Sequence, residues 1–415
     1  MTNQGERAQY GAAAWAHVKG ELPNPFPRVM GPNATRYLQE FVDSGMTVDL
    51  MGRFEQALAR RLGVKHAIGT PGCTPALAVL AAAFGFSPGD EIIVSPISDY
   101  GTVQGLIREN YIPVFADAAP GTVNLSAATI EPCITDRTRA ILCVHKTGLV
   151  CDMDPINELA ARHGLVVYED ACQAFLSDYR GRLAGTLGRA AAFSFDAEKT
   201  MGADVGGAIV TDDDALAERA RFLGQSRGAV AVPGYGRVHS VPGYAYRMPH
   251  CTAAIALAQL EIVDENVAVR DRVARRLTDL VARIPGVTPL PIPEYQATYS
   301  CWMFGISIDP AQFDCAPSTF AEELAGAGLT GAGMGEYYLL SECLPFLKDN
   351  AARQVYPYSC PPASRRYTYG QDTTPVARDF LRTFIRWSTI CEKYTDEHCD
   401  LANAIIAQVA ARHHR

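Results

Sequence analysis

The chain has 415 residues, of which 48% are hydrophobic and 20% charged, and its net charge is −8. That length exceeds the size at which one hydrophobic core stops growing, so two domains are expected. The acidic balance argues against a nucleic-acid surface or a polybasic membrane patch.

The N-terminus, MTNQGERAQY, lacks the basic-then-apolar pattern of a secretory signal, and no apolar run reaches the roughly 18 residues of a membrane span. A cytoplasmic location is expected. The twelve cysteines are scattered and form no CxxC pair, so they read as small buried hydrophobes, and no metal site is expected.

Residues 1–30 are rich in Pro and Gly and read as an arm lying over the body or a neighbouring subunit. Apolar spacing predicts helices over Ala34–Asp43 and Arg53–Leu62. His66–Gly69 reads as a short strand, followed by a turn at Gly72, an entry at Cys73–Thr74 and an apolar helix from Ala76, with Pro75 in its first turn. A strand, a glycine turn and a helix N-terminus together form an anion site built from backbone N–H groups.

Further buried strands are expected at Ile92–Ser95, Pro113–Asp117, Arg139–His145, Leu165–Tyr168, Ala190–Phe195 and Ala208–Val210, most separated by helical stretches such as Asp154–His163. This alternation predicts a mainly parallel sheet sandwiched by helices. From Thr252 one long helical pattern leads toward a second domain, which holds a strand at Trp302–Ile308 and a C-terminal helix from about Asp396. The expected division is an arm over 1–30, a large domain over 31–265 and a small domain over 266–415.

The stretch Leu165–Asp213 carries the chemistry. Its first strand ends in Glu169-Asp170, at the carboxyl end where open α/β sheets place their ligands. Gln173 follows three residues later, Ser194 closes the second strand, and Lys199 precedes a Gly-rich turn over 202–207. An amine, a strand-end acid and a hydroxyl near an anion site suit one task well, holding pyridoxal phosphate as a Schiff base.

Five segments in order, FEQALARRLGVKHAIGTPGCTPAL, GDEIIVSPISDYGTV, VYEDACQA, GTLGRAAAFSFDAEK and PGYAYRMPHCTAAIALAQL, resemble the DegT/DnrJ/EryC1/StrS family of sugar aminotransferases. The resemblance implies a fold type I pyridoxal-phosphate-dependent transferase of the α/β class. It would have a mainly parallel seven-stranded sheet flanked by helices and a smaller C-terminal α+β domain. Lys199 would bind the cofactor and move a proton at the substrate carbon, and Asp170 would pair with the protonated ring nitrogen. Gln173 would contact the ring, while Gly72, Cys73, Thr74 and Ser194 would cradle the phosphate.

Two positions depart from the family pattern. Its PGYNYRM segment carries an asparagine that reaches the neighbouring subunit's phosphate; here that position is Ala245, so either Arg247 or Arg237 stands in or the phosphate is held less tightly. The family's ring-stacking aromatic aligns with Asp99, and Tyr100 takes that place only after a one-residue shift, which turns a side chain to the opposite face.

His145 reads equally as a ligand contact or a structural histidine. The loop Gly331–Tyr338 reads as a pocket wall or as a hydrophobic cover of the domain junction. Tyr235, Arg237 and His239 are weak candidates for a contact across subunits. The implied activity is transfer of an amino group from glutamate or a similar donor to a keto-sugar or cyclitol, by a homodimer with sites at its interface. A dehydratase, epimerase or aromatising synthase on the same cofactor is the alternative, although Lys199 speaks against the dehydratase branch, which carries histidine there. A non-catalytic regulator on the same fold is the third reading.

Overall fold

The computed structural model describes residues 21–225, 230–234, 236–238 and 241–415. Tyr235 and His239 lie outside the described residues.

The first part of the chain alternates strands and helices. Helices α1 (Ala34–Asp43) and α2 (Leu50–Leu62) precede β1 (His66–Thr70), α3 (Cys73–Phe84), β2 (Glu91–Val94), α4 (Gly101–Arg108) and β3 (Ile112–Phe115). There follow β4 (Thr138–Val144), α5 (Met153–His163), β5 (Val166–Asp170), β6 (Ala190–Ser194), β7 (Gly207–Thr211) and α6 (Asp214–Gln225). These seven strands form one sheet in the order β1-β7-β6-β5-β4-β2-β3. All pairings are parallel except the two that β7 makes, with β1 and with β6. Strands β2, β6 and β7 are buried along their whole length, which is why they read as unbroken apolar runs.

Helix α3 begins at Cys73, earlier than its apolar run suggests, with Gly72 as N-cap and Pro75 at its third position. The helical pattern after Thr252 is two helices, α7 (His250–Leu260) and α8 (Val263–Val281). The break coincides with Glu261, whose carboxylate accepts hydrogen bonds from Tyr37 Oη at 2.6 Å and Asn33 Nδ2 at 2.8 Å.

Beyond α8 a second sheet forms from β8 (Val287–Pro289), β9 (Phe304–Ile308), β10 (Ala332–Met334) and β11 (Phe384–Trp387), in the order β8-β9-β11-β10. Helices α9 (Pro317–Gly326) and α10 (Asp396–His413) cover it. Helix α8 joins the two cores: Val263 and Val267 pack with α2 and α7, whereas Val273, Leu277 and Val281 pack with the second sheet. The division expected at 265 therefore falls inside a continuous helix. Residues Leu340–Tyr367, though late in the chain, pack against the first sheet's core.

The N-terminal segment stitches these parts together. Arg28 donates to the carbonyls of Ala197, at 2.8 Å, and Thr200, at 3.2 Å, and lies 3.9 Å from Glu392. Glu392 also accepts from Arg270 at 3.0 Å, and Arg270 itself is held by the carbonyls of Cys301 and Ile390. Burial alone would raise the Glu392 carboxyl, but Arg270 and Arg28 outweigh it and hold it below the ordinary glutamate value. Removing one member of a buried charge pair leaves the other uncompensated, so Glu392→Gln is expected to cost about 3 kcal/mol. Because the folded value is the depressed one, the wild-type advantage is complete above the ordinary carboxylate range, about pH 4.3, and fades as pH falls through the lower folded value. Urea unfolding of both proteins at several pH values measures this; a pH-independent difference would contradict it.

Candidate active site

The carboxyl ends of β5 and β6, the start of α4 and the start of α3 converge on one cavity of about 620 Å³. Asp170, the last residue of β5, is 2% exposed. Its Oδ2 accepts from Thr102 Oγ1 at 2.8 Å and its Oδ1 from the Cys172 amide at 3.2 Å. Ser98 Oγ sits 2.6 Å from Thr102 Oγ1 and fixes that hydroxyl in turn. A strand-end acid thus faces the cavity in one orientation, with room left for a partner.

Lys199 rides a tight turn after β6. Its amide donates to Asp196 O at 2.9 Å, and the Ala197 amide donates to Asp204 O at 2.7 Å. A Cβ on Gly202 would stand 2.8 Å from Ala197 O, so the turn closes only with glycine there. The second domain holds the same turn from outside, where Trp302 Nε1 donates to Glu198 O at 3.0 Å. The Lys199 amine lies 3.8 Å from the Trp302 ring centroid, over the cavity wall.

At the other end, β1 and β7 bring Gly72 and Cys73 against Gly207 so closely that a Cβ on Gly207 would meet their backbone at 2.4–2.6 Å. Gly72 offers no side-chain cap to α3, so the first-turn N–H groups at Cys73 and Thr74 have no partner within the helix. Ser194 faces the same end of the cavity. The Cys73 thiol lies 3.8 Å from Asp170 Oδ1. Its hydrogen bond with Cys172 and its burial push that thiol well up, against the thiolate a nucleophile would need.

The cavity lining therefore includes Gly72, Cys73, Thr74, Asp99, Asp170, Gln173, Ser194 and Lys199. Gln173 is oriented by its Oε1, which accepts from the Thr147 amide at 2.7 Å. Tyr100 stands apart from them: it is 41% exposed and packs edge-on against Phe346, with ring centroids 6.0 Å apart. Helix α4 starts just after it; Asp99, also exposed, does line the cavity, and its Oδ1 accepts from the Gly101 amide. Ala245 and Arg247 are both exposed and line no part of the cavity. The side chain of Arg237 is outside the described residues.

His145 is fully buried behind the site, its Nε2 2.9 Å from Glu169 and its Nδ1 accepting from the Cys151 amide, so its place is structural. The loop after Gly331 serves as both wall and junction. Tyr338 lines the cavity, its carbonyl accepts from the Ser98 amide, and Leu339 bridges to Ile97. Thr102 and Trp302 carried no sequence signal as site residues, whereas Tyr338 belongs to the loop that reads from sequence as a pocket wall. Thr102 lies in the first turn of α4, eight residues past the end of β2, and the two aromatics reach the cavity only through the second domain.

The donor set fits pyridoxal 5′-phosphate. A buried acid could meet a ring nitrogen, the first-turn N–H groups of α3 and Ser194 a phosphate, Gln173 the ring, and an amine the aldehyde.

Over residues 31–366 the chain matches the DegT/DnrJ/EryC1/StrS aminotransferase family. It is 40% identical over 286 residues to the GDP-perosamine synthase of Caulobacter vibrioides, covering 68% of this chain and 76% of that one. With the spore coat polysaccharide biosynthesis protein SpsC of Bacillus subtilis it shares 37% identity over 279 residues, 65% of this chain and 71% of the other. Among solved structures, DesI in the presence of its TDP-sugar product superposes with a TM-score of 0.77 at 27% identity, covering 97% of this chain and 95% of DesI.

Thr102→Val removes one hydrogen bond to a charged carboxylate and should weaken binding of pyridoxal 5′-phosphate roughly tenfold. A cofactor titration followed by absorption reads this, and unchanged affinity would show that Asp170 needs no help from that hydroxyl.

Proposed function

The chain belongs to the DegT/DnrJ/EryC1/StrS aminotransferase family and is a pyridoxal-phosphate-dependent aminotransferase; on that premise we propose that it moves an amino group from glutamate to a nucleotide-linked keto-sugar, with Lys199 as the working amine. The observation that carries this reading is the meeting of Asp170 and Lys199 in one cavity that also holds Ser194 and the α3 N-terminus. The names of the relatives support a nucleotide-sugar acceptor: one is a GDP-perosamine synthase and another a protein crystallised with a TDP-sugar product.

When bound, pyridoxal 5′-phosphate supplies an aldehyde to carry the amino group and a ring that takes up electrons. Asp170 would keep a proton on the ring nitrogen, its own position fixed by Thr102 and the Cys172 amide. The N–H groups at Cys73 and Thr74 and the Ser194 hydroxyl would hold the phosphate. Lys199 would take a proton from the substrate carbon and return it, a short movement for an amine on a turn clamped by Trp302 and Arg28. Gln173, held by the Thr147 amide, would steady the ring, and Asp99 at the cavity mouth would meet substrate.

Adding L-glutamate to the holoenzyme is expected to convert its absorption to the pyridoxamine form, and Lys199→Ala to slow that conversion by on the order of a thousandfold or more. A spectrum unmoved by glutamate would rule out glutamate as donor.

The same reading makes the protein a homodimer in which the mostly exposed segment 241–247 reaches the partner's site. Size-exclusion chromatography should give twice the 44.9 kDa chain mass, and a monomer that retains cofactor would contradict this.

A further inference from the structure

Behind the cavity wall lies a second lysine that the proposed reaction does not use. Lys146 lies two residues past the end of β4, is fully buried, and its Nζ has no hydrogen-bond partner among the described residues. An amine in that state calls for an explanation, because buried donors are nearly always satisfied.

Its backbone leaves little freedom. The Lys146 amide donates to Asn124 Oδ1 at 3.2 Å. The next residue, Thr147, sits at φ +62°, a left-handed conformation that a β-branched residue seldom adopts. Thr147 is pinned there by Gln173 Oε1 on its amide and by the Trp302 amide on its carbonyl.

The side chain is thereby aimed at the aromatic wall. Nζ lies 3.2 Å from the centroid of the Tyr338 ring and 6.0 Å from that of Trp302, whose ring also lies beside the Lys199 amine. Both rings line the cavity. The groups that face Lys146 are Asp99 from the loop after β2, Asp170 and Cys172 from the end of β5, and Lys199 from the turn after β6. Burial pushes the amine down to about 7; Lys199 adds to that, while Cys172, Asp99 and Asp170 oppose it.

We propose that Lys146 is a positioning residue. Its protonated amine holds the Tyr338 ring, and Trp302 beside it, as the wall against which the substrate rests, and loss of that proton loosens the wall. A cation over an aromatic face is attracted by the ring quadrupole, and the attraction is strongest where water is excluded. A neutral amine keeps only a weak N–H contact with the ring. The inference rests on the reading of this cavity as the cofactor and substrate site.

The test compares wild type, Lys146→Met and Lys146→Arg holoenzymes, with L-glutamate as the probe in the half-reaction. The ratio of the Lys146→Met dissociation constant to that of wild type cancels the ionisation of glutamate itself. It should be roughly three- to tenfold at about pH 6 and fall toward one at about pH 8. Lys146→Arg, which keeps its charge, should stay near the wild-type low-pH affinity at both. Maximal rate and affinity for pyridoxal 5′-phosphate should differ by less than about twofold, since Lys146 touches neither reacting atoms nor cofactor.

Near-ultraviolet circular dichroism of the ligand-free proteins gives a second readout: a transition across neutral pH in wild type that Lys146→Met lacks. An equal ratio at both pH values, a loss shared by rate and cofactor affinity, or a transition that persists in Lys146→Met would each overturn the proposal. If Lys146→Met fails to fold, Lys146→Arg against wild type still decides it, because a charge locked on must abolish the transition. A wild-type enzyme that ignored glutamate would sink the reading of the site instead, and the ligand-free transition would then decide the role of Lys146 by itself.

Discussion

The fixed point of this structure is the Asp170 carboxylate. It is buried at the end of β5, with one oxygen held by the Thr102 hydroxyl and the other by the Cys172 amide. A carboxylate in that setting keeps its charge only where hydrogen bonds replace the water it has lost. The neighbouring parallel strands set the rest by register: β4 pairs Val144 with Asp170, and β6 pairs Ala192 with it, two residues before Ser194. The turn bearing Lys199 follows β6 and lines the same cavity. The antiparallel β7 returns the chain so that Gly207 presses on Gly72 and closes the end of the cavity where a phosphate is proposed to bind.

Much of this was legible in the sequence because it is local. The apolar runs of β2, β4 and β6 mark a buried parallel sheet, and Glu169-Asp170, Ser194 and Lys199 stand at strand ends or just past them. Such features need no knowledge of distant parts of the chain. The helix pair α7 and α8 was less legible: its apolar period runs through the break at Glu261, where contacts from Tyr37 and Asn33 intervene from more than two hundred residues away.

The cavity wall was harder still. Trp302 and Tyr338 belong to the second domain and become site residues only because Trp302 bonds to Glu198 O and the Tyr338 loop bridges to Ile97. Tyr100 shows the opposite failure: an aromatic at nearly the right place in sequence turns outward at the start of α4 and packs on Phe346. Lys146 sits in the plain view of VHKTG, yet nothing in that string reveals that its amine will be buried without a partner. Burial of a polar group is a property of the packed whole.

We propose that Lys199, and not its buried neighbour Lys146, is the amine that carries the cofactor. Borohydride reduction of the holoenzyme fixes the cofactor permanently to its lysine, and peptide mass mapping locates the added pyridoxyl group. That mass is expected on the peptide bearing Lys199 and on no other. Label on Lys146, or a protein that takes up pyridoxal 5′-phosphate without any lysine being labelled, would contradict it.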